Sequence, residues 1–292
     1  MKLARCESQG QTFWAVVDTE AQTFKRINGA FSSWGAQLTQ SINEGNATLA
    51  EGNLVYSGDV YSFDSVRLLP PVENVNRVVV AGANYTKHLA ADFGLEAPSQ
   101  PVAFLKAYGA LIGANDDIRY PPLTNELDHE VELVVVLGSD DIDLKNTMAS
   151  VLGYTVGNDV SSRDLQRSGP KGIGMDLFAA KSQDKTTGLG PWIVTKDEFS
   201  EINPAFRLLL SVDGEVRQDG NTSDMTWSVA ELISFVQQRS SFAAGDVMFT
   251  GSPEGVGQGT GRFLNSGELV VATIGGIGSL QNRVGLKQKI EK

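Results

Sequence analysis

Hydrophobic and polar positions alternate in short runs along most of the chain, and glycine breaks the runs before long helices can form. That pattern predicts a mostly β protein with a few short helices, an α+β fold. Residues 12–17 (TFWAVV) and 22–27 (QTFKRI) read as a hairpin turning at Asp18, Thr19, Glu20 and Ala21. Phe31, Trp34, Leu38 and Ile42 recur at helical spacing, which predicts a helix over 31–43. Residues 78–81 (VVVA) signal a buried strand ending at Gly82, after which Asn84 can cap a short helix over 85–93 that stops at Gly94. Residues 130–137 (EVELVVVL) and 153–160 (GYTVGNDV) predict strands, with a short helix over 144–150 between them. Runs 207–212 and 215–218 flank Asp213-Gly214, a two-residue hairpin signal. Ser228 and Glu231 form a capping box that opens a helix ending near 238, and 269–274 is a late strand. Few segments could serve as crossover helices, which disfavours Rossmann and TIM-barrel arrangements.

Pro70-Pro71 forces an extended connector, and the pattern changes from residue 77 on. We place a boundary there, between a small N-terminal domain over 1–70 and a larger domain over 71–292. A chain of 292 residues has room for both. Lys plus Arg is 24 against 35 Asp plus Glu, a formal net charge of −11, which disfavours nucleic acid and anionic membrane as partners. A small anionic substrate remains possible where cations cluster locally. Cys6 is the single cysteine, so no intrachain disulfide can form, which fits a reducing compartment. The opening MKLARCESQG has no signal-peptide run, and no stretch approaches the ~20 apolar residues of a membrane span. A cytoplasmic protein is the expectation, with Cys6 packed rather than catalytic.

The sharpest chemical signal is LDHEVELVVVLG, residues 127–138. On a strand, Glu130 and Glu132 share a face roughly 7 Å apart, while Val131 and Leu133 take the other. Two carboxylates aimed the same way from an apolar strand repel each other and resist burial. A hard cation such as Mg²⁺ or Ca²⁺ resolves both problems; the competing reading is a solvent-facing strand edge. GNDVSSRDLQ (157–166) puts Asp159 at a strand end, followed by Arg163 and Gln166, whose donors suit a carboxylate. Alone, it also reads as an Asx turn leading into a helix. His88 and Asp92, four apart on a helix, can pair into an oriented general base, or into a plain surface pair. His129 alternates away from the two glutamates and reads as structural. Lys181 follows a glycine-rich stretch and could stabilise an enolate beside a metal. Residues 250–261 (TGSPEGVGQGTG) offer backbone amides for an anion but lack the Gly-Lys-Ser/Thr ending of a phosphate loop.

Nine segments in order carry a resemblance: GANYTKH, PVAFLK, LDHEVELVVVLG, GYTVGNDVSSRDLQ, AAKSQDK, LGPWIVT, VDGEVRQDGNTSDM, GDVMFTGSPEGVG and GIGSLQNRV. Together, from about residue 78 to 284, they resemble the fumarylacetoacetate hydrolase superfamily, in its branch of hydrolases, hydratases, decarboxylases and isomerases of 2-oxo acids and 1,3-dicarbonyls. The resemblance implies a β-roll catalytic domain, a homodimer, and Mg²⁺ (or Mn²⁺ or Ca²⁺) held by Glu130, Glu132 and Asp159. It carries the family lysine to Lys181 and the lid histidine to His88. Substrate contacts fall on Arg163, Gln166 and the turn at Thr250 and Gly251. Relatives often have Asp-His at the lid with Glu three residues later; here Lys87 precedes His88, Ala91 stands at that position and Asp92 follows. Gln183 and Glu254 also depart from the family pattern. The expected activity is metal-dependent hydrolysis of a carbon–carbon bond in a 1,3-dicarbonyl or acylpyruvate, with His88, oriented by Asp92, activating water. The alternative is decarboxylation of an oxaloacetate-type acid, or hydration or isomerisation of a 2-oxo acid, through the same enolate. A third is ligand binding without turnover.

Overall fold

The computed structural model describes all residues except 46–51, 53, 74–75, 90–93, 95, 97, 173, 202–203 and 288–292. The strands are β1 (Lys2–Ser8), β2 (Gln11–Asp18), β3 (Thr23–Ile27), β4 (Tyr56–Ser62), β5 (Arg67–Leu69) and β6 (Val78–Gly82). They continue as β7 (Val102–Lys106), β8 (Leu111–Ile112), β9 (Leu127–Asp128), β10 (Val131–Leu137), β11 (Val151–Asn158) and β12 (Ser161–Ser162). The last six are β13 (Thr187–Thr195), β14 (Arg207–Val212), β15 (Glu215–Asn221), β16 (Val247–Phe249), β17 (Leu269–Ile274) and β18 (Gly278–Arg283). One long sheet runs β4-β3-β2-β1-β13-β11-β10-β16-β6-β7, with β5 and β8 pairing off its path. A four-stranded sheet, β15-β14-β17-β18, packs over its centre, and β9 and β12 form a small pair. The protein is mostly sheet with short helices, as the alternation predicts.

Strand β10 is buried along its whole length, which explains its nearly unbroken apolar run. Val131, Leu133, Val135 and Leu137 face the four-stranded sheet, in one core with Leu208, Leu210, Ala272 and Ile274. Val134 and Val136 face the other way, in a core with Trp34 and with Leu38 and Ile42 of the helix Gly35–Asn43 that follows it. By alternation Glu132 shares that second face. Its partner across the ladder is Gly157 on β11. A Cβ at Gly157 would lie 2.4 Å from the Phe249 ring and 2.6 Å from a Val134 methyl. Gly157→Ala is therefore expected to cost about 1–3 kcal/mol by overpacking. Urea unfolding measures this, and wild-type stability would mean that the Phe249 ring yields freely.

Several local expectations shift. The helix predicted over 31–43 is a 3₁₀ turn, Phe31–Ser33, followed by the α-helix Gly35–Asn43. The helix over 144–150 shortens to a 3₁₀ turn, Thr147–Ser150. Glu130 lies just before β10 rather than in it. After β6 the described chain forms the helix Thr86–His88, which Asn84 does not cap, and residues 90–93 of the helix predicted over 85–93 lie outside the described residues. The Asn84 amide is spent instead on Trp227 N–H, Trp227 O and Thr250 O. The Asp213-Gly214 turn has positive φ at both residues (49° and 82°), as a type I′ hairpin requires. The capping box of Ser228 and Glu231 opens the helix Val229–Gln237. Among the described residues, no helix is long and apolar enough to cross a membrane.

Cys6 sits in a third apolar cluster with Phe13, Val17 and Phe24. Burial pushes its thiol up to about 12. We expect no reaction with Ellman's reagent at neutral pH in the folded protein and one equivalent after unfolding in guanidinium. Rapid labelling of the native protein would contradict this packing.

Candidate active site

Two strand ends bring the acids together. Glu130 precedes β10, Glu132 is its second residue, and Asp159 follows β11, which is hydrogen-bonded to β10. The Asp159 N–H donates to the Glu130 carbonyl (2.8 Å), and the Glu130 N–H donates to Asn158 Oδ1 (3.0 Å), so the backbone fixes both acids. All three carboxylates are buried, and each offers an oxygen within 4.8 Å of the others. They line a cavity of about 190 Å³ whose remaining wall is largely apolar, with Val80, Leu89, Val102, Phe104, Met175 and Leu177.

Lys181 ends the short helix Leu177–Lys181 and donates to Glu130 Oε2 (2.6 Å) and Asp159 Oδ2 (2.7 Å). Burial opposes its charge, but the two carboxylates outweigh burial and raise its pKa, so it remains an ammonium. Arg163 opens the helix Arg163–Gln166 and lines the cavity with Gln166. Its guanidinium is already engaged: Nε donates to Asp128 Oδ2 (2.7 Å), one terminal nitrogen to Glu130 and the other to Gln166 Oε1 (3.1 Å). Gly251 has φ of +97°, and a Cβ there would meet Asn84 Cβ at 2.9 Å, so the turn requires glycine. The Gly251 N–H donates to Glu132 Oε2 at 2.7 Å. Thr250 stands behind the wall, its N–H and hydroxyl both donated to the Leu133 carbonyl. His129 is buried, with Nδ1 3.2 Å from Gln218 Oε1, and burial lowers its pKa, so it is neutral.

His88 closes the helix Thr86–His88, one residue before cavity-lining Leu89, but its side chain and the whole of Asp92 lie outside the described residues. Two residues that the sequence reading passed over belong to the site. Lys106 at the end of β7 is buried, pairs with Asp159 Oδ1 (2.7 Å), and donates to the Lys181 carbonyl and to Thr187 Oγ1 (2.9 Å). Its signal was alternation in PVAFLK: Val102, Phe104 and Lys106 share a strand face, and the first two line the cavity. Asp128 anchors Arg163 and accepts the N–H groups of His129, Gly257 and Gln258. Burial opposes its charge, yet Arg163 and these donors hold its carboxyl below the usual range.

The charges do not balance. Four acids, Asp128, Glu130, Glu132 and Asp159, face three cations, Arg163, Lys181 and Lys106. Burial, reinforced by Asp159 and Glu130, pushes the Glu132 carboxyl well above its ordinary value. Three converging carboxylates short of positive charge form a donor set suited to a hard divalent cation.

Comparison with known proteins finds a matching family, relatives and solved structures. The family model for the fumarylacetoacetate (FAA) hydrolase C-terminal region matches residues 77–285. The human protein named oxaloacetate tautomerase FAHD2A, mitochondrial, is 35% identical over 253 residues, covering 85% of this chain and 79% of that protein. The crystal structure of 5-carboxymethyl-2-hydroxymuconate delta-isomerase from Mycobacterium smegmatis superimposes with a TM-score of 0.78 at 32% identity, covering 98% of this chain and all of that one. Fumarylpyruvate hydrolase from Pseudomonas aeruginosa, solved with Mn²⁺ and pyruvate, gives 0.65 at 31% identity over 75% of this chain and 92% of that one.

Proposed function

The chain belongs to the fumarylacetoacetate hydrolase family, and on that premise we propose that it is a divalent-metal-dependent enzyme interconverting the keto and enol forms of an oxaloacetate-type 2-oxo acid. The observation that carries this is the convergence of Glu130, Glu132 and Asp159, beside the Lys181 ammonium, on one largely apolar cavity. A bound Mg²⁺ or Mn²⁺ supplies Lewis acidity that lowers the cost of an enolate. Lys181 adds fixed positive charge where the enolate oxygen develops. Arg163 holds Glu130 and Gln166 in place, and Gln166 offers its amide to the substrate's polar end. The Thr250-Gly251 turn orients Glu132 through the Gly251 N–H. His88 is the base of this reading: it takes the proton from the carbon next to the carbonyl and passes it to the enolate oxygen, and the reverse path takes it from the enol oxygen back to that carbon. The apolar wall keeps bulk water from the carbanion.

Isomerisation asks only that one proton move between the α-carbon and the carbonyl oxygen, with no attacking water to activate, so it tolerates the altered lid sequence Lys87-His88 with Asp92. The relatives named tautomerase and isomerase also favour it over carbon–carbon hydrolysis. The hydrolytic reading uses the same acids and adds a water attack, which the fumarylpyruvate hydrolase neighbour keeps in play. Product analysis separates the readings. With oxaloacetate, loss of enol absorbance without pyruvate supports isomerisation, and pyruvate release supports decarboxylation. Cleavage of acetylpyruvate to two acids with no effect on oxaloacetate would return the assignment to hydrolysis.

We further propose that residues 1–70 form a small domain that extends the catalytic sheet through β1 and that its third apolar cluster supports. The working form is taken as a cytoplasmic homodimer, tested by mass photometry and fractionation.

A further inference from the structure

Away from the carboxylate cavity, the turn after β13 places a lysine at the edge of a groove of about 390 Å³. Ile42, Met148 and Phe199 give the groove an apolar floor, and Asn146, Ser200 and Glu201 lie along its rim. Lys196 is half-buried there, and its Nζ donates to two uncharged oxygens, Asn43 Oδ1 (2.6 Å) and the Met148 carbonyl (2.8 Å). It forms no ion pair among the described residues. The acids on neighbouring elements are Glu44 after the helix, Asp197 and Glu198 on its own turn, and Glu201. Glu198 is paired with the N-terminal amine. Burial outweighs the opposing charge of Asp197 and lowers the Lys196 pKa to about 8. An uncharged amine has two N–H groups and one lone pair. With both N–H groups held by the two oxygens, the lone pair is the position left for a reaction.

We propose that Lys196 is a site of covalent acylation, its neutral amine accepting an acyl group from an uncharged thioester seated in this groove. The nitrogen attacks the thioester carbonyl carbon and the new C–N bond forms. The C–S bond breaks, and the sulfur leaves as a thiol with the proton released by nitrogen, so no oxidant or reductant is required. An uncharged donor fits because Asp197 and Glu201 at the rim, in a chain of net charge −11, repel anionic ones.

The test incubates the full chain near neutral pH with N,S-diacetylcysteamine, an uncharged thioester, and maps acetylated peptides by mass spectrometry over time. Lys196 is expected to react about tenfold faster than exposed Lys25 and Lys87, because an ordinary lysine is almost wholly protonated there. Its rate should level off above about pH 8. Lys196→Arg keeps donors for both oxygens and should lose this label while the other peptides label as before. The proposal is overturned if Lys196 reacts no faster than Lys25, or if its rate climbs to alkaline pH like an ordinary lysine. It is also overturned if acetic anhydride labels Lys196 quickly while the thioester does not, since the groove then seats no donor.

Discussion

Glu132→Gln is expected to abolish tight binding of Mn²⁺ or Mg²⁺ while making the metal-free protein more stable. The two effects share a cause. Glu132 is buried beside two other carboxylates and accepts a hydrogen bond from Gly251 N–H, too little to offset its charge without a cation. Glutamine keeps the shape and removes the charge. Metal affinity should fall on the order of 100-fold or more, since one of three charged ligands is lost. Metal-free stability should rise by about 1–3 kcal/mol, as when a poorly compensated buried charge is neutralised. The sign with pH follows from the raised carboxyl, because the folded protein holds that proton more tightly than the unfolded chain. The resulting stability is present below the ordinary glutamate range and drains away as pH rises through the raised value. The gap between variant and wild type should therefore widen as pH rises from the ordinary glutamate range through the raised value, and shrink when Mn²⁺ saturates the wild type. Calorimetric titration and thermal unfolding, each with and without chelator, check both halves. A variant that is less stable at every pH would mean that Glu132 is satisfied without metal.

Lys181→Met should be the most damaging single change to catalysis. The Lys181 ammonium bridges Glu130 and Asp159 at 2.6 and 2.7 Å in a buried site. Without it, two buried carboxylates lose their shared partner, which costs about 3–5 kcal/mol in the metal-free protein. Turnover should fall by roughly 10²–10³-fold even with saturating metal, because charge opposite the developing enolate is lost. Arginine should not rescue it, since a planar fork cannot replace a compact ammonium touching two carboxylates on one short reach. Steady-state kinetics with added Mn²⁺ would show kcat falling far more than KM rises. Wild-type kcat in a folded Lys181→Met protein would remove Lys181 from the mechanism.

The two glutamates were legible because strand chemistry is local. The run Leu133 to Leu137 is unbroken apolar sequence, so the two carboxylates just before it demanded an explanation, and β10 is buried throughout. Asp159 reads in the sequence only as a strand-end residue or an Asx turn, and its place beside the two glutamates came from the family resemblance. The expected spacing of Glu130 and Glu132 assumed that both lay in the strand. The strand begins at Val131, and the hydrogen bonds to Asn158 and Asp159 that draw the acids together are long-range. Asp128 and Lys106 escaped because their roles depend on partners far away in sequence: Arg163 for one, Asp159 for the other. Asn84 was assigned a local helix cap, but distant Trp227 and Thr250 compete successfully for its amide. The donors of Arg163 were plain in sequence. That Asp128, Glu130 and Gln166 already engage them was visible only once the chain was folded.

The most direct test of the central claim is the decay of oxaloacetate enol absorbance with purified protein in Mg²⁺, after excess chelator, and after Mg²⁺ is restored. The account predicts enzyme-dependent decay that stops with chelator, returns with metal, and is absent throughout in Glu132→Gln. Decay indifferent to chelator and undiminished in Glu132→Gln would contradict a metal-assisted enolate at Glu130, Glu132 and Asp159.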